Sequence, residues 1–324
     1  MTSSIPPISA TNTTNATANT ADTGLSAPID LLQVRRLFSR PARLNDSDFL
    51  RREIAARMFE RLELVRIAPE RVLDAGCGTG PDLAVLQQRY ADALVIGQDG
   101  APAMLAEALQ NQRVARSAID RLLASLLPQR RSQTGQALLG GDFAQLPLQA
   151  QSLDLIWSNL ALHWHPQPDL VIKEWRRVLR VDGLLMFCCF GPDTFKELRE
   201  AFAQVDLADH ALPFVDMHDY GDMLIDAGFS TPVMDMEKIT VTYDSVAKLM
   251  ADVRAWGGNP LRSRRQGLMG RKALAQVAAA LNAARSKDGR IALTFEVIYG
   301  HAFRPAPRKT ASGESIIRFD LPKK

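Results

Sequence analysis

The run Val72-Leu73-Asp74-Ala75-Gly76-Cys77-Gly78-Thr79-Gly80 sets alternating glycines directly behind a short apolar stretch that contains a carboxylate. The apolar stretch reads as a strand. The glycines let the chain turn through left-handed backbone and let another molecule approach the main chain closely. Residues Asp82 to Tyr90 follow, with Leu83, Val85 and Leu86 at helical spacing. A strand, a glycine turn and a helix make the opening half of a βαβ unit, which commits the chain to a parallel sheet with helices on its faces.

The rest of the chain repeats that alternation. A first helix is expected from Asp46 or Ser47, with Leu50, Ile54, Met58 and Leu62 on its buried side, and a shorter one from Leu31 to Phe38. Further strands are expected at Ala93–Asp99, Ala137–Gly140, Leu153–Ser158 and Leu184–Phe190, with helices at Pro102–Leu109 and Pro168–Leu179 between them. Beyond Pro192 come helices at Phe195–Val205, Tyr220–Ala227, Asp244–Trp256 and Ala273–Ala284, and strands at Val233–Thr242 and Arg290–Phe303. The last strand puts Leu293, Phe295, Val297 and Tyr299 on one face, the pattern of a partly exposed strand. The fold class is therefore α/β, Rossmann-like, with a mostly parallel seven-stranded sheet flanked by helices. Residues 111–136 read as a helical insertion or long surface loop, and 1–28 as a disordered tail too poor in apolar surface to fold.

Composition narrows the partners. Against 39 Lys and Arg stand 36 Asp and Glu, a net charge of +3 that does not argue for nucleic acid. Local basic clusters at Arg130-Arg131 and Arg262 to Arg265 read as solvated surface, with steering of an acidic partner as the alternative. The three cysteines, Cys77, Cys188 and Cys189, lack metal spacing, and vicinal cysteines rarely pair. No apolar run of about 18 residues offers a membrane span, and the N-terminus lacks a secretory or transit pattern, so a reduced, cytoplasmic setting is expected.

The acids at the strand ends indicate the ligand. The dinucleotide fingerprint G-x-G-x-x-G is not met here, because Pro81 stands where its third glycine belongs. Asp74, two residues before Gly76, would repel a pyrophosphate but suits the ammonium end of S-adenosylmethionine, which carries no phosphate. Asp99 ends the second strand, where an acid can accept from ribose hydroxyls. Asp142 and Phe143 follow the third strand, placed to meet the adenine amino group and ring, although Asp142 serves equally as a helix N-cap. Asn159, His163 and Trp164 close the fourth strand on the acceptor side, with a structural role open for His163.

These segments have known counterparts. Asp74-Ala-Gly-Cys-Gly-Thr-Gly80, Asp99-Gly-Ala-Pro-Ala-Met104-Leu105, Gly141-Asp142 with Leu146-Pro147, and Trp157-Ser-Asn-Leu-Ala161 resemble class I S-adenosylmethionine-dependent methyltransferases. The narrower resemblance is to the malonyl-acyl carrier protein O-methyltransferases of biotin synthesis. It implies a cofactor set of Asp74, Gly76, Cys77, Gly78, Gly80, Asp99, Gly100, Met104, Asp142, Phe143 and Asn159, with no metal. It also implies an acidic acyl carrier protein bearing a malonyl group as partner, a methyltransferase domain over 29–304 with 208–290 on the acceptor side, and a C-terminal tail at 305–324. The acceptor would be an ionised carboxylate, so no general base and no catalytic residue is assigned. An arginine is expected to hold it, from among Arg40, Arg43, Arg176 and Arg177. Asp48-Phe-Leu-Arg-Arg-Glu53, Leu162-His-Trp164, Phe190-Gly-Pro-Asp-Thr-Phe-Lys-Glu-Leu-Arg199, Leu249–Arg254 and Gly257–Asn259 are also similar to a mitochondrial complex I assembly factor on the same fold, linked to arginine hydroxylation. A non-catalytic protein that only holds the cofactor is a third reading, disfavoured by the presence of all three strand-end acids. Members of the biotin group usually carry a Tyr-Asp pair before the first helix. Here the stretch reads Leu44-Asn45-Asp46 or Ser47-Asp48, so no tyrosine lid carries over.

Overall fold

The computed structural model describes residues 28–42, 48–115, 135–265 and 267–307. The expected tail at 1–28 except its last residue, Arg43, Arg130-Arg131, most of the 111–136 insertion and nearly all of the 305–324 tail lie outside the described residues.

In chain order the elements are α1 (Leu31–Leu37), α2 (Phe49–Glu63), β1 (Arg71–Ala75), α3 (Pro81–Arg89), β2 (Leu94–Asp99), α4 (Pro102–Ala115), β3 (Gly135–Gly140) and β4 (Leu153–Asn159). A 3-10 turn at Leu162–Trp164 leads to α5 (Pro168–Val178), β5 (Leu179–Phe190), α6 (Lys196–Ala203), α7 (Met217–Asp226), β6 (Ser230–Tyr243), α8 (Val246–Ala255), α9 (Arg271–Ala283) and β7 (Ile291–Phe303). The strands form one seven-stranded sheet in the order β3-β2-β1-β4-β5-β7-β6. The strands β3 through β5 run parallel, and β7 is antiparallel to both β5 and β6. The chain steps outward one way from β1 and the other way from β4. Their junction is a topological switch point, and the crevice beyond its carboxyl ends is where open α/β sheets bind ligands.

Both sheet faces are covered. One core gathers Leu50, Met58, Leu83, Trp157 and Phe295; the other gathers Leu73, Ile156, Trp175, Phe187 and Tyr220. Neighbouring residues of β1 and β4 go to opposite cores, as the period of two demands. Proline opens α3 and α5, where its missing N–H costs nothing.

The reading of β7 as partly exposed is corrected. Its Leu293, Phe295 and Val297 face one core, and Ile298 and Ala302 on the opposite side are equally inaccessible. The cause is strand order: β7 inserts between β5 and β6, so the chain's penultimate strand, β6, becomes the edge and shows the alternating exposure. The strand β5 also begins earlier than expected, at Leu179, because Asp182 takes a left-handed turn and the register to β4 shifts there.

Asp154 joins the far end of the sheet. Its Oδ2 accepts the backbone N–H groups of Glu70 and Arg71 at 2.6 and 2.8 Å, and its Oδ1 meets Arg180 at 2.6 Å. This side chain fixes the entry of β1 against β4. Asp154→Ala is expected to lower unfolding free energy by about 2 kcal/mol, the order of a charged hydrogen bond left unmade. Urea denaturation followed by circular dichroism measures it; a loss below about 0.5 kcal/mol contradicts the role.

Candidate active site

The crevice at the switch point is a cleft of about 1390 Å³ of space between atoms, open mouth included. Its floor is the loop between β1 and α3. Gly76 has φ +79°, and a Cβ there would come within 2.3 Å of the Ala161 Cβ, so only glycine lets the loop lie against the end of β4. The N–H groups of Gly76 and Cys77 both donate to the Gln98 carbonyl, which binds the loop to β2. Gly78 donates to Asp99 Oδ2 at 2.9 Å, and Ala101 donates to Asp99 Oδ1 at 2.7 Å. Asp99 is thus held rigidly at the cleft wall, and burial raises its pKa despite those two donors.

Asp74 lies beside it with 2% of its surface exposed. Its Oδ2 has no partner among the described residues. Burial first, then the charge of Asp82, push its carboxyl well above the usual carboxylate range. Such an orphaned group is matched by a ligand that brings a cation or a donor.

Asp82, in the first turn of α3, is the hub of the floor. It accepts from Trp157 Nε1 at 3.1 Å, Asn159 Nδ2 at 2.9 Å and Arg51 Nη1 at 3.2 Å. Arg51, from α2, is gripped from its other side by Asp48 at 2.6 Å. Burial works to lower its pKa, but the Asp82 and Asp48 carboxylates outweigh it and hold the guanidinium firmly charged.

On the far wall Asp142 accepts from Ala144 N at 2.9 Å, and it stands near His165, whose Nε2 is 3.7 Å away. His165 and the Ala144 N–H hold its carboxyl below its ordinary pKa despite partial burial. It closes a turn rather than capping a helix. Phe143 beside it packs against His165 and Trp175, and Met104 is buried under the wall.

Of the expected cofactor residues, Asp74, Gly76, Cys77, Gly78, Asp99, Gly100, Met104, Asp142, Phe143 and Asn159 line this one cleft. Gly80 does not. It sits behind the loop as the left-handed residue that opens α3, against Leu83 and Ala108. Cys77 contributes backbone; its buried thiol faces Gly97, and its pKa is driven well up by burial and by Asp74.

Of the four arginines expected to hold the acceptor, Arg43 lies outside the described residues and the other three are placed away from the cleft. Arg176 donates to the Gly228 carbonyl, and Arg177 is bound to Glu174 and to the carbonyls of Leu146 and Leu148, on the outer side of α5. Arg40 is exposed and does not line the cleft. Among the described residues the cleft arginines are Arg51 and Arg35. Neither was distinguishable in the sequence, because an arginine on an amphipathic helix has the same pattern whether it meets solvent or a site. Asp82 was missed for the same reason, reading as an ordinary first-turn acid.

The other end of the cleft is aromatic. Phe38, Trp164, Phe190 and Trp256 line it, with Trp164 edge-on to Phe38 at 5.2 Å. His163 is buried among Trp164, Phe190 and Phe214. Its Nδ1 faces the Phe190 N–H at 3.4 Å, its Nε2 has no partner among the described residues, and burial drops its pKa to about 3. It is therefore neutral in ordinary conditions. The stretch Phe190 to Arg199 is a clamp between β5 and β7. Asp193 N donates to Glu296 Oε2 at 2.7 Å, Thr194 Oγ1 donates to the Glu296 carbonyl at 3.1 Å, and Arg199 closes on the carbonyls of Thr194 and Pro192. Among the described residues no cluster of His, Cys, Asp or Glu is arranged to hold a metal, and no helix is long and apolar enough to cross a membrane.

Known proteins share these features. Residues 73–187 match the family described as a methyltransferase domain. The chain is 48% identical over 295 residues to a malonyl-[acyl-carrier protein] O-methyltransferase of Laribacter hongkongensis, covering 90% of this chain and 96% of that one. It is 43% identical over 300 residues to the protein of that name from Gallionella capsiferriformans, with the same coverage. The crystal structure of YcgJ from Bacillus subtilis shares the fold, with a TM-score of 0.52 at 15% identity over 77% of this chain and 98% of that chain. With its strand-end acids gathered in one cleft and its relatives aligned almost end to end, the chain belongs to the malonyl-[acyl-carrier protein] O-methyltransferase family, on the class I methyltransferase fold.

Proposed function

We propose that this protein methylates the free carboxylate of a malonyl group carried as a thioester on acyl carrier protein, a step of biotin synthesis in the cytoplasm, with S-adenosylmethionine as donor. The observation that carries the reading is the division of one cleft. One end holds Asp74, Asp82 and Asp99 against a single ion-paired arginine, and the other is walled by Phe38, Trp164, Phe190 and Trp256. The acid-rich end suits a ligand bearing an ammonium and a sulfonium and no phosphate.

When bound, S-adenosylmethionine supplies an electrophilic methyl group on its sulfonium. The residues assigned to hold it are those of the floor and far wall. Asp99, already fixed by two N–H groups, has lone pairs left for the ribose hydroxyls. Asp74 presents its unpartnered oxygen to the ammonium end. Arg51, locked between Asp48 and Asp82, offers its remaining donors to the carboxylate of the methionyl part. Phe143 and Asp142 receive the adenine ring and its amino group. No side chain reaches over the loop at Gly78, where a Cβ would meet open space, so the ligand can approach the backbone there.

A carboxylate acceptor, with a reference pKa of about 4, arrives ionised at neutral pH. No proton has to be removed. The aromatic walls exclude water, so the acceptor loses hydration as it is positioned. His163 is neutral and polar and serves positioning rather than proton transfer. Residues 208–290 belong to the acceptor side through Trp256 and through Phe214 behind His163. The methyl ester masks a negative charge, so that chain-elongating enzymes can treat the malonyl end as apolar.

The direct test is incubation with methyl-labelled S-adenosylmethionine and malonyl-acyl carrier protein. Label should appear on the carrier as a base-labile ester; a carrier that stays unlabelled while cofactor binds would sink the reading. For the cofactor assignment, Asp99→Ala should weaken S-adenosylmethionine binding about tenfold or more by titration calorimetry, since lost hydrogen bonds to a buried charge are of that order. Unchanged affinity would refute the ribose role. Because His163 titrates only near about 3, kcat should lack a limb between about pH 6 and 9. A limb near pH 6.5 that disappears in His163→Gln would show a general base instead.

A further inference from the structure

We propose that the carrier docks on a basic rim formed jointly by α1 and the strap at residues 254–265, around the mouth of the cleft. This rests on the carrier-linked acceptor proposed above. Two segments far apart in sequence are tied together there. Asp30 N donates to the Pro260 carbonyl and Arg262 N to the Pro28 carbonyl, each at 3.1 Å, and Ile29 and Leu261 form a bridge buried beneath them. Both segments carry arginines outward. Arg36, Arg40, Arg254 and Arg262 are exposed and have no ion pair among the described residues, whereas Arg265 is neutralised by Asp206 at 2.7 Å.

The same two segments build the aromatic end of the cleft. Trp164 is wedged between Phe38, just after α1, and Gly257, where a Cβ would lie 2.6 Å from the indole. The rim is therefore rigidly continuous with the wall of the acceptor end. A protein docked there delivers a prosthetic arm along aromatic surface toward the cofactor. Four exposed guanidinia on such a rim call for an acidic partner, and an acidic carrier supplies that complement next to its thioester arm.

The test uses the full chain with Arg36→Glu and Arg262→Glu combined, two positions outside the cleft wall. Two probes are compared: fluorescently labelled malonyl-acyl carrier protein, read by anisotropy at low and high salt, and a malonyl thioester of pantetheine, read by methyl transfer. The expected result is a carrier Kd raised about tenfold or more, with a flatter salt dependence, as for lost steering charges. KM and kcat for the small thioester should stay within about twofold, because the cleft is untouched. The pair Arg36→Lys and Arg262→Lys should retain carrier affinity, since a charged rim needs sign rather than fork geometry. Unchanged carrier affinity in the glutamate variant overturns the proposal, and so does equal damage with both probes. If the wild-type chain binds the carrier in a salt-sensitive way yet methylates neither probe, the assigned chemistry fails and the docking surface stands.

Discussion

The floor of the cleft depends on one buried carboxylate. Asp82 accepts simultaneously from an indole of β4, an amide at the end of β4 and a guanidinium of α2. Removing the arginine would strand a buried carboxylate, a cost of roughly 3–5 kcal/mol for a broken buried pair, and removing either neutral donor would cost about 1–3 kcal/mol for a charged hydrogen bond left unmade. The cluster therefore fixes three elements relative to one another, and it fixes the glycine loop that lies above them. Trp157 is held at its nitrogen by Asp82 and on its face by Phe59, stacked at 4.2 Å. The tryptophan of β4 is thus a core residue and a strut for the site at once.

The charge balance of the cleft follows from that arrangement. Asp82 is neutralised by Arg51, so it is not available to a ligand cation. Asp74 and Asp99 are left facing the cleft with no counter-ion of their own, and burial raises both. Two desolvated carboxyl groups facing one space disfavour ionisation together, and a cationic ligand relieves both. Asp74 and Asp99 therefore give this end of the cleft an electrostatic preference for a cation.

How much of this was legible beforehand can be traced residue by residue. Asp74, Asp99 and Asp142 each follow a strand, and parallel strands bring their carboxyl ends to one edge. Reading the alternation of strands and helices was therefore enough to bring these acids together. Arg51 and Arg35 were not legible, because their role depends on which way a helix faces. That is decided by packing: Leu50, Ile54 and Met58 of α2 turn to the core and carry Arg51 over the floor. The misreading of β7 has a similar origin. Alternation predicts one buried face, but whether the other is covered depends on strand order. That order inverts here, with β7 inside and β6 at the edge. Gly80 shows what a motif leaves unsaid: it belongs to the glycine pattern yet stands behind the cleft lining, at the left-handed start of α3.

The acceptor end is assembled differently from the cofactor end, and this bears on how the family can vary. The residues assigned above to the cofactor come from the ends of neighbouring strands of the sheet. The aromatic walls come from the residue after α1, the 3-10 turn after β4, the end of β5 and the residue after α8, and Trp164 joins the first two of these at Phe38. Rigid strand ends preserve the geometry for a shared donor, while loop and helix additions are free to reshape what the donor meets. The His163 cluster shows the constraint on that freedom. Its imidazole is neutral, surrounded by aromatic rings, and holds the backbone at the end of β5. A base placed there would have to be solvated or paired to stay charged, and either change would open the dry wall. An acceptor that arrives already ionised is the chemistry that such a wall can serve without a base.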